Sequence, residues 1–216
     1  MLRKLFLLLL MPSLLFAAEI IKSYSFSVPA VQDGKIIMNN TYIAATACAP
    51  SVAVHAVQLM IPRGQTVVSY TVEYGNPILL NGTHFLQPSI PPTPKSHAPI
   101  PRVKALSKVY AENVFFPSQI QGSSDFTVQY TGGIPIFYTT IFPTQYNASS
   151  QQVRYYDKIT VKVITAPASD EPPYFCTPAL KSSLKTLVEN PEEVDNLPVS
   201  AAKSSRAAAQ FAVAVT

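Results

Sequence analysis

The chain has 216 residues, 48% of them hydrophobic and only 13% charged, so it is too apolar for disorder throughout and long enough to bury a core of its own. Its formal charge of +4 falls by two when Arg3 and Lys4 are set aside as part of a removable segment, and no run of Lys and Arg interleaves with aromatics, which excludes a nucleic-acid footprint. Twenty prolines with few helix-forming runs point to a β-rich, loop-rich body.

Residues 1–18 have the order of a signal peptide. Arg3 and Lys4 are followed by an apolar run over 5–16, interrupted by Pro12 and Ser13, and Ala17 and Ala18 precede Glu19. The run falls short of the roughly 20 apolar residues a spanning helix needs, and no second run of spanning length follows. The mature protein is expected to be secreted, periplasmic or at the cell surface, and free of the membrane once the signal is removed.

Residues 20–61 read as strands separated by turns, with Asp33-Gly34 a tight-turn signal. The segment 52–61 is apolar on both faces, as in a doubly buried strand, and ends at the turn Pro62-Arg63-Gly64. Residues 66–74 alternate: Val68, Tyr70, Val72 and Tyr74 are assigned to one face, Ser69, Thr71 and Glu73 to the other. Asn81-Gly82, after Ile78-Leu79-Leu80, is a hairpin-turn signal. The stretch 88–101 carries six prolines, including Pro88, Pro91 and Pro101. It cannot lie inside a sheet and is read as an extended crossover within one domain.

Beyond the crossover, residues 126–130 and 134–142 flank Thr131-Gly132-Gly133 and read as a hairpin. Residues 153–164 read as one strand. Val153, Tyr155, Ile159, Val161 and Val163 face the core, with Asp157 the exception on that face; Arg154, Tyr156, Lys158, Thr160 and Lys162 face water. Thr177 is suited to cap a helix that starts at Pro178. Leu180, Leu184, Leu187 and Val188 recur at helical spacing, so one helix is expected over about 179–190, stopped by Asn190-Pro191. The fold class is all-β: an antiparallel sandwich over 19–176, a short helix and connector over 177–198, and a flexible tail over 199–216.

Catalytic chemistry finds little support. His55, His84 and His97 form no spaced pair with a cysteine or carboxylate in a metal or nucleophile pattern. His55, in an apolar strand, reads as a packed core histidine. No metal, cofactor or catalytic residue is expected, and the acidic runs Asp170-Glu171 and 192–195 read as solvated loop. Cys48 and Cys176 leave two readings open: separate buried thiols, or one disulfide that an oxidising compartment permits and that would contribute on the order of 4 kcal/mol by closing a long loop. The sequons at Asn39, Asn81 and Asn147 fit surface loops of an exported chain.

Four segments, taken in order, carry a family resemblance: Met60-Ile61-Pro62-Arg63-Gly64, the proline-rich stretch 86–94, the loop Phe142-Pro143-Thr144-Gln145-Tyr146-Asn147, and Tyr155-Tyr156-Asp157-Lys158-Ile159. Together they make residues 20–195 resemble the N-terminal propeptide domain of gingipain-type cysteine peptidases. The resemblance implies a β-sandwich that docks on a cognate cysteine peptidase catalytic domain, blocks its cleft as an intramolecular inhibitor and helps it fold. It implies no catalysis by the propeptide itself. A basic side chain seated unproductively in a pocket built for Arg or Lys would be the inhibitory element, and Arg63, Arg102 and Arg154 are the candidates, each also readable as an ordinary solvated arginine. Arg206 is the candidate maturation cleavage site. The peptidase domain is not within these 216 residues, so the resemblance implies either a severed front of a zymogen or a free-standing inhibitor-like module. The alternative from a different class is a secreted sandwich that binds carbohydrate or cell-surface ligands through its eleven tyrosines; the absence of tryptophan weakens it.

Overall fold

The computed structural model describes residues 18–44, 48–89, 107–118 and 126–200. In chain order the strands are β1 (Ala18–Ser25), β2 (Ala30–Gln32), β3 (Lys35–Ile37), β4 (Tyr42–Ile43), β5 (Ala53–Met60), β6 (Gln65–Tyr74) and β7 (Ile78–Leu79). The short helix α1 (Ser107–Ala111) precedes β8 (Thr127–Thr131), β9 (Ile134–Ile141), β10 (Thr144–Asn147), β11 (Gln152–Tyr155) and β12 (Lys158–Pro167), and two helices follow, α2 (Pro178–Leu187) and α3 (Pro191–Asp195). The strands pair antiparallel in the orders β1-β12-β6, β4-β5-β9-β8 and β10-β11-β7, with β2-β3 as a separate hairpin. This is the all-β sandwich with C-terminal helix expected from the sequence.

One core cluster fills the sandwich. Val57, Leu59, Phe137 and Ile141 from β5 and β9 share it with Val72, Ile159, Val161 and Val163 from β6 and β12. A second cluster joins Met60, Ile134 and Ile136 to Leu184, Val188, Val194 and Leu197 of the C-terminal arm. Because successive side chains on a strand alternate in direction, β5 and β9 are buried on both faces, one against the sandwich and one against the arm. That is the physical reason their sequences run apolar without alternation.

The turn signals hold where the partner strand is next in sequence. Asp33-Gly34, with φ of 49° and 69°, closes β2 onto β3, and Gly132-Gly133, with φ of 61° and 79°, closes β8 onto β9. Positive φ at both central residues matches the twist of the flanking strands. A Cβ on Gly133 would lie 2.4 Å from the Pro173 carbonyl oxygen, so the turn is also pinned under the segment that leads to α2.

Four expectations are corrected. Val68 is exposed and Val67 faces the core, because β6 carries a bulge opposite Ile164 and Thr165 that reverses the side-chain alternation below Ser69. The strand foreseen over 153–164 is two strands: β11 and β12 break at Tyr156-Asp157, which turns Tyr156 into the core while Val153, Tyr155, Ile159, Val161 and Val163 keep their predicted face. Asn81-Gly82 closes no hairpin, since β7 pairs with β11 and Leu80 N–H reaches the Val153 carbonyl at 2.9 Å. The helix foreseen over 179–190 is two helices. α2 is capped as expected by Thr177 Oγ1, which accepts from Leu180 N–H at 3.1 Å, but it ends at Leu187, which is exposed, and Pro191 opens α3.

The proline-rich stretch lies mostly outside the described residues, as do His97, Arg102 and Arg206 and nearly all of the signal segment and tail. Strands from either side of that stretch pair with one another, β5 with β9, β6 with β12 and β7 with β11.

Candidate functional site

The segment Phe142-Pro143-Thr144-Gln145-Tyr146-Asn147 is an internal clasp, not an exposed loop. Residues 144–147 form β10, and all four are buried. Gln145 Oε1 accepts from Arg154 Nε at 2.6 Å and from the Tyr156 hydroxyl at 2.9 Å, and its amide nitrogen donates to the Pro117 carbonyl. Tyr146 donates its hydroxyl proton to the His84 carbonyl at 2.9 Å. Asn147 Nδ2 donates to Asn113 Oδ1 at 2.8 Å, while its own Oδ1 accepts from Ser149 and Ser150 N–H. These three side chains fasten two irregular segments, 84–86 and 113–118, to the sheet. One antiparallel backbone bridge adds to them, Phe116 N–H donating to the Tyr146 carbonyl at 2.8 Å and Tyr146 N–H to the Phe116 carbonyl at 2.9 Å, since the polar backbone groups of such segments need partners. The bonding of Asn147 also removes this sequon from the surface, whereas Asn39 and Asn81 are exposed.

The candidate arginines occupy separate neighbourhoods. Arg154 sits within β11; its guanidinium stacks 4.0 Å from the Phe115 ring centre and bonds Gln145, so it is built into the clasp. Arg63 stands on the turn after β5, paired with Glu171 at 2.9 Å and lying 4.4 Å from the Tyr174 ring centre, with its side chain 42% exposed. An exposed pair of that kind is worth less than about 1 kcal/mol, so Arg63 can leave it at little cost. Cys48 and Cys176 are both free thiols, the first half-buried and the second buried in the cluster beneath the arm. The tyrosines form no common platform. Only Tyr42 and Tyr130 are exposed, and they stand on β4 and β8, at opposite edges of one sheet.

A polar joint that local sequence patterns do not signal fastens the arm to the sandwich. Asn190 Oδ1 accepts from Met60 N–H at 2.8 Å and Asn190 Nδ2 donates to the Met60 carbonyl at 2.9 Å. Glu189 N–H donates to the Gln58 carbonyl at 2.8 Å. The pair thereby occupies the edge of β5 beyond the end of β4, as an added strand would. The Glu189 carboxylate accepts from Tyr24 O–H at 2.7 Å, from Gln58 N–H at 3.1 Å and, on its other oxygen, faces His55 Nε2 at 2.8 Å; Lys22 Nζ donates to the Glu189 carbonyl. His55 is packed, as expected, against Tyr24 and Phe26, but its ring is tied to a carboxylate 134 residues away. Asn190→Ala would strand both polar groups of Met60 and should lower stability by about 2 kcal/mol, read as a lower urea midpoint.

No protein-family model and no curated sequence matches the chain. Solved structures share its fold, two of them of gingipains. One is the complex of Porphyromonas gingivalis RgpB pro- and mature domains, matched at 14% identity and a TM-score of 0.52 over 80% of this chain and 92% of that one. The other concerns the zymogenic latency of gingipain K from the same organism, at 20% identity and a TM-score of 0.50 over 68% of this chain and 86% of that one. The chain has a gingipain-type propeptide-like fold.

Proposed function

We propose that this chain is the propeptide of an exported gingipain-like cysteine endopeptidase, and that it docks on the catalytic domain, occludes the cleft and assists folding without catalysing a reaction. The observation that carries this reading is the likeness of the fold, over 80% and 68% of the chain, to the gingipain pro-domain and zymogen structures. A rigid two-layer body suits occlusion, because it covers a cleft without paying to order a flexible segment. Arg63 is the described arginine best suited to enter a basic-specific pocket, since it stands on a turn and its present partners hold it weakly; Arg102 remains a second candidate. Arg206 is the maturation site of this reading, and residues 1–18 are its export signal.

The test is inhibition. The chain, added in molar excess to the catalytic domain of an Arg- or Lys-specific gingipain-type peptidase, should reduce peptide hydrolysis to below about a tenth, as a nanomolar-class complex would. Arg63→Ala should weaken that inhibition while leaving the unfolding free energy, read from urea titration, within about 0.5 kcal/mol of the parent. Full hydrolysis under excess of the parent chain defeats the reading.

A further inference from the structure

The joint between sandwich and arm requires a proton, and it does so whether or not the chain binds a peptidase. His55 Nδ1 lies 2.7 Å from the Asn40 carbonyl oxygen, and Nε2 lies 2.8 Å from Glu189 Oε1. Asn40 adopts φ of 59°, a left-handed conformation open to few residues besides glycine and Asn. The Asn40 carbonyl can only accept. The other oxygen of Glu189 is already committed to the Tyr24 hydroxyl and the Gln58 N–H. A neutral imidazole carries one N–H and one lone pair. It can satisfy either Asn40 or Glu189, and it must turn a lone pair towards the other oxygen. With both nitrogens protonated the ring satisfies both. Moving that proton onto Glu189 Oε1 leaves the count unchanged.

We propose that His55 and Glu189 form a proton-operated latch: a charged imidazolium bridging Asn40 and Glu189 clamps residues 178–200 onto the sandwich, and loss of one proton loosens them. The clamp joins three bodies, with Tyr24 and Lys22 from the β1 sheet, His55 and Gln58 from β5, and Glu189 from the arm. Glu189 is thus the point where protonation can act on the arm without disturbing the core.

The electrostatics agree with the geometry. Burial alone would lower the His55 pKa, but its bond to Glu189, its bond to the Asn40 carbonyl and the Glu189 charge together raise it. Burial would raise that of Glu189, yet the bonds from His55, Tyr24 and the Gln58 N–H, with the His55 charge, lower it. The Tyr24 phenol is pushed upward by burial and by Glu189 and keeps its proton. Lys22 supplies the remaining positive charge at the joint, and Glu19, Glu192 and Glu193 line the neighbouring cleft beside it. A raised histidine contributes stability that is complete below its ordinary value of 6.5 and lost as pH rises through the raised value. A lowered carboxylate contributes above its ordinary 4.5 and is lost as pH falls through the lowered value. The latch is therefore tightest between those two ordinary values and loosens on the alkaline side.

Two readouts on the full chain test this. Nitrogen NMR of the imidazoles at about pH 6, with the His55 signals assigned by their loss in His55→Gln, should find both ring nitrogens of His55 carrying hydrogen. A lone-pair nitrogen there overturns the proposal without any variant needing to fold. Hydrogen exchange over residues 178–200, corrected for intrinsic rates, should lose about tenfold in protection between about pH 5.5 and about pH 8, and His55→Gln should flatten that dependence. Equal protection at the two pH values in the parent chain, or an unchanged dependence in His55→Gln, also overturns it.

Discussion

Replacing Phe137 by alanine should lower stability by about 3–5 kcal/mol, a large share of the roughly 5–15 kcal/mol that holds a domain of this kind. Phe137 is fully buried at the centre of the four-stranded sheet, in register with Leu59 on β5 and Val128 on β8. Its ring meets Tyr70 edge-on at 5.3 Å and lies 5.6 Å from Phe126, so it ties the β6 sheet to the β9 sheet. The cavity cannot collapse easily. Tyr70 is held in place by the Thr139 hydroxyl at 3.2 Å, and the strands on both sides are fixed by ladder bonds. With a urea slope of about 2 kcal/mol per molar, the midpoint should fall by about 2 M, and Phe137→Leu should recover most of it. A loss below about 1 kcal/mol would mean that the two sheets are not held together here.

Gln145→Leu should cost about 3 kcal/mol even though the replacement is apolar, buried and of similar size. Gln145 is fully buried and serves three groups at once: Arg154 Nε, the Tyr156 hydroxyl and the Pro117 carbonyl. Leucine would leave all three without their partner, and an unmade bond to a charged donor is the dearest of them. Gln145→Glu separates size from bonding: it keeps both acceptors for Arg154 and Tyr156 but loses the donor to Pro117, so its loss should be about half as large. Urea unfolding of the two variants beside the parent checks the order. If leucine is tolerated and glutamate is not, the clasp is held by packing alone.

What could be read from the sequence was whatever depends on neighbours in the chain. The Asp33-Gly34 and Gly132-Gly133 turns, the Thr177 cap and the core face of Val153, Tyr155, Ile159, Val161 and Val163 are all local consequences of backbone preference and alternation. The misreadings share one cause. Val68 alternates perfectly until an extra residue on its own strand meets Ile164 and Thr165 far along the chain. Asn81-Gly82 has ideal hairpin chemistry but sits beside a strand 70 residues later. Tyr156 looked solvent-facing because the one local sign of the break, Asp157 on the core face, reads equally as an isolated exception within a continuous strand; its carbonyl accepts from Phe26 N–H at 2.8 Å. The same holds for the candidate site. His55 was legible as packed, but Glu189, its partner, stood at the end of a helical pattern with nothing to distinguish it from a solvated acid.

The interlocked pairing also bears on how the chain acquires its structure. β12 reaches back to β1, with Ile164 opposite Glu19 and Ile159 opposite Tyr24, and β5, β6 and β7 each wait for a partner made beyond the proline-rich stretch. Neither half holds enough paired strands to be stable without the other. Domains dominated by such distant contacts cross a high entropic barrier and fold in milliseconds to seconds, not microseconds. A nascent chain that ends before β12 therefore lacks the strand that both β1 and β6 pair with, and the sandwich closes only when residues 158–167 arrive.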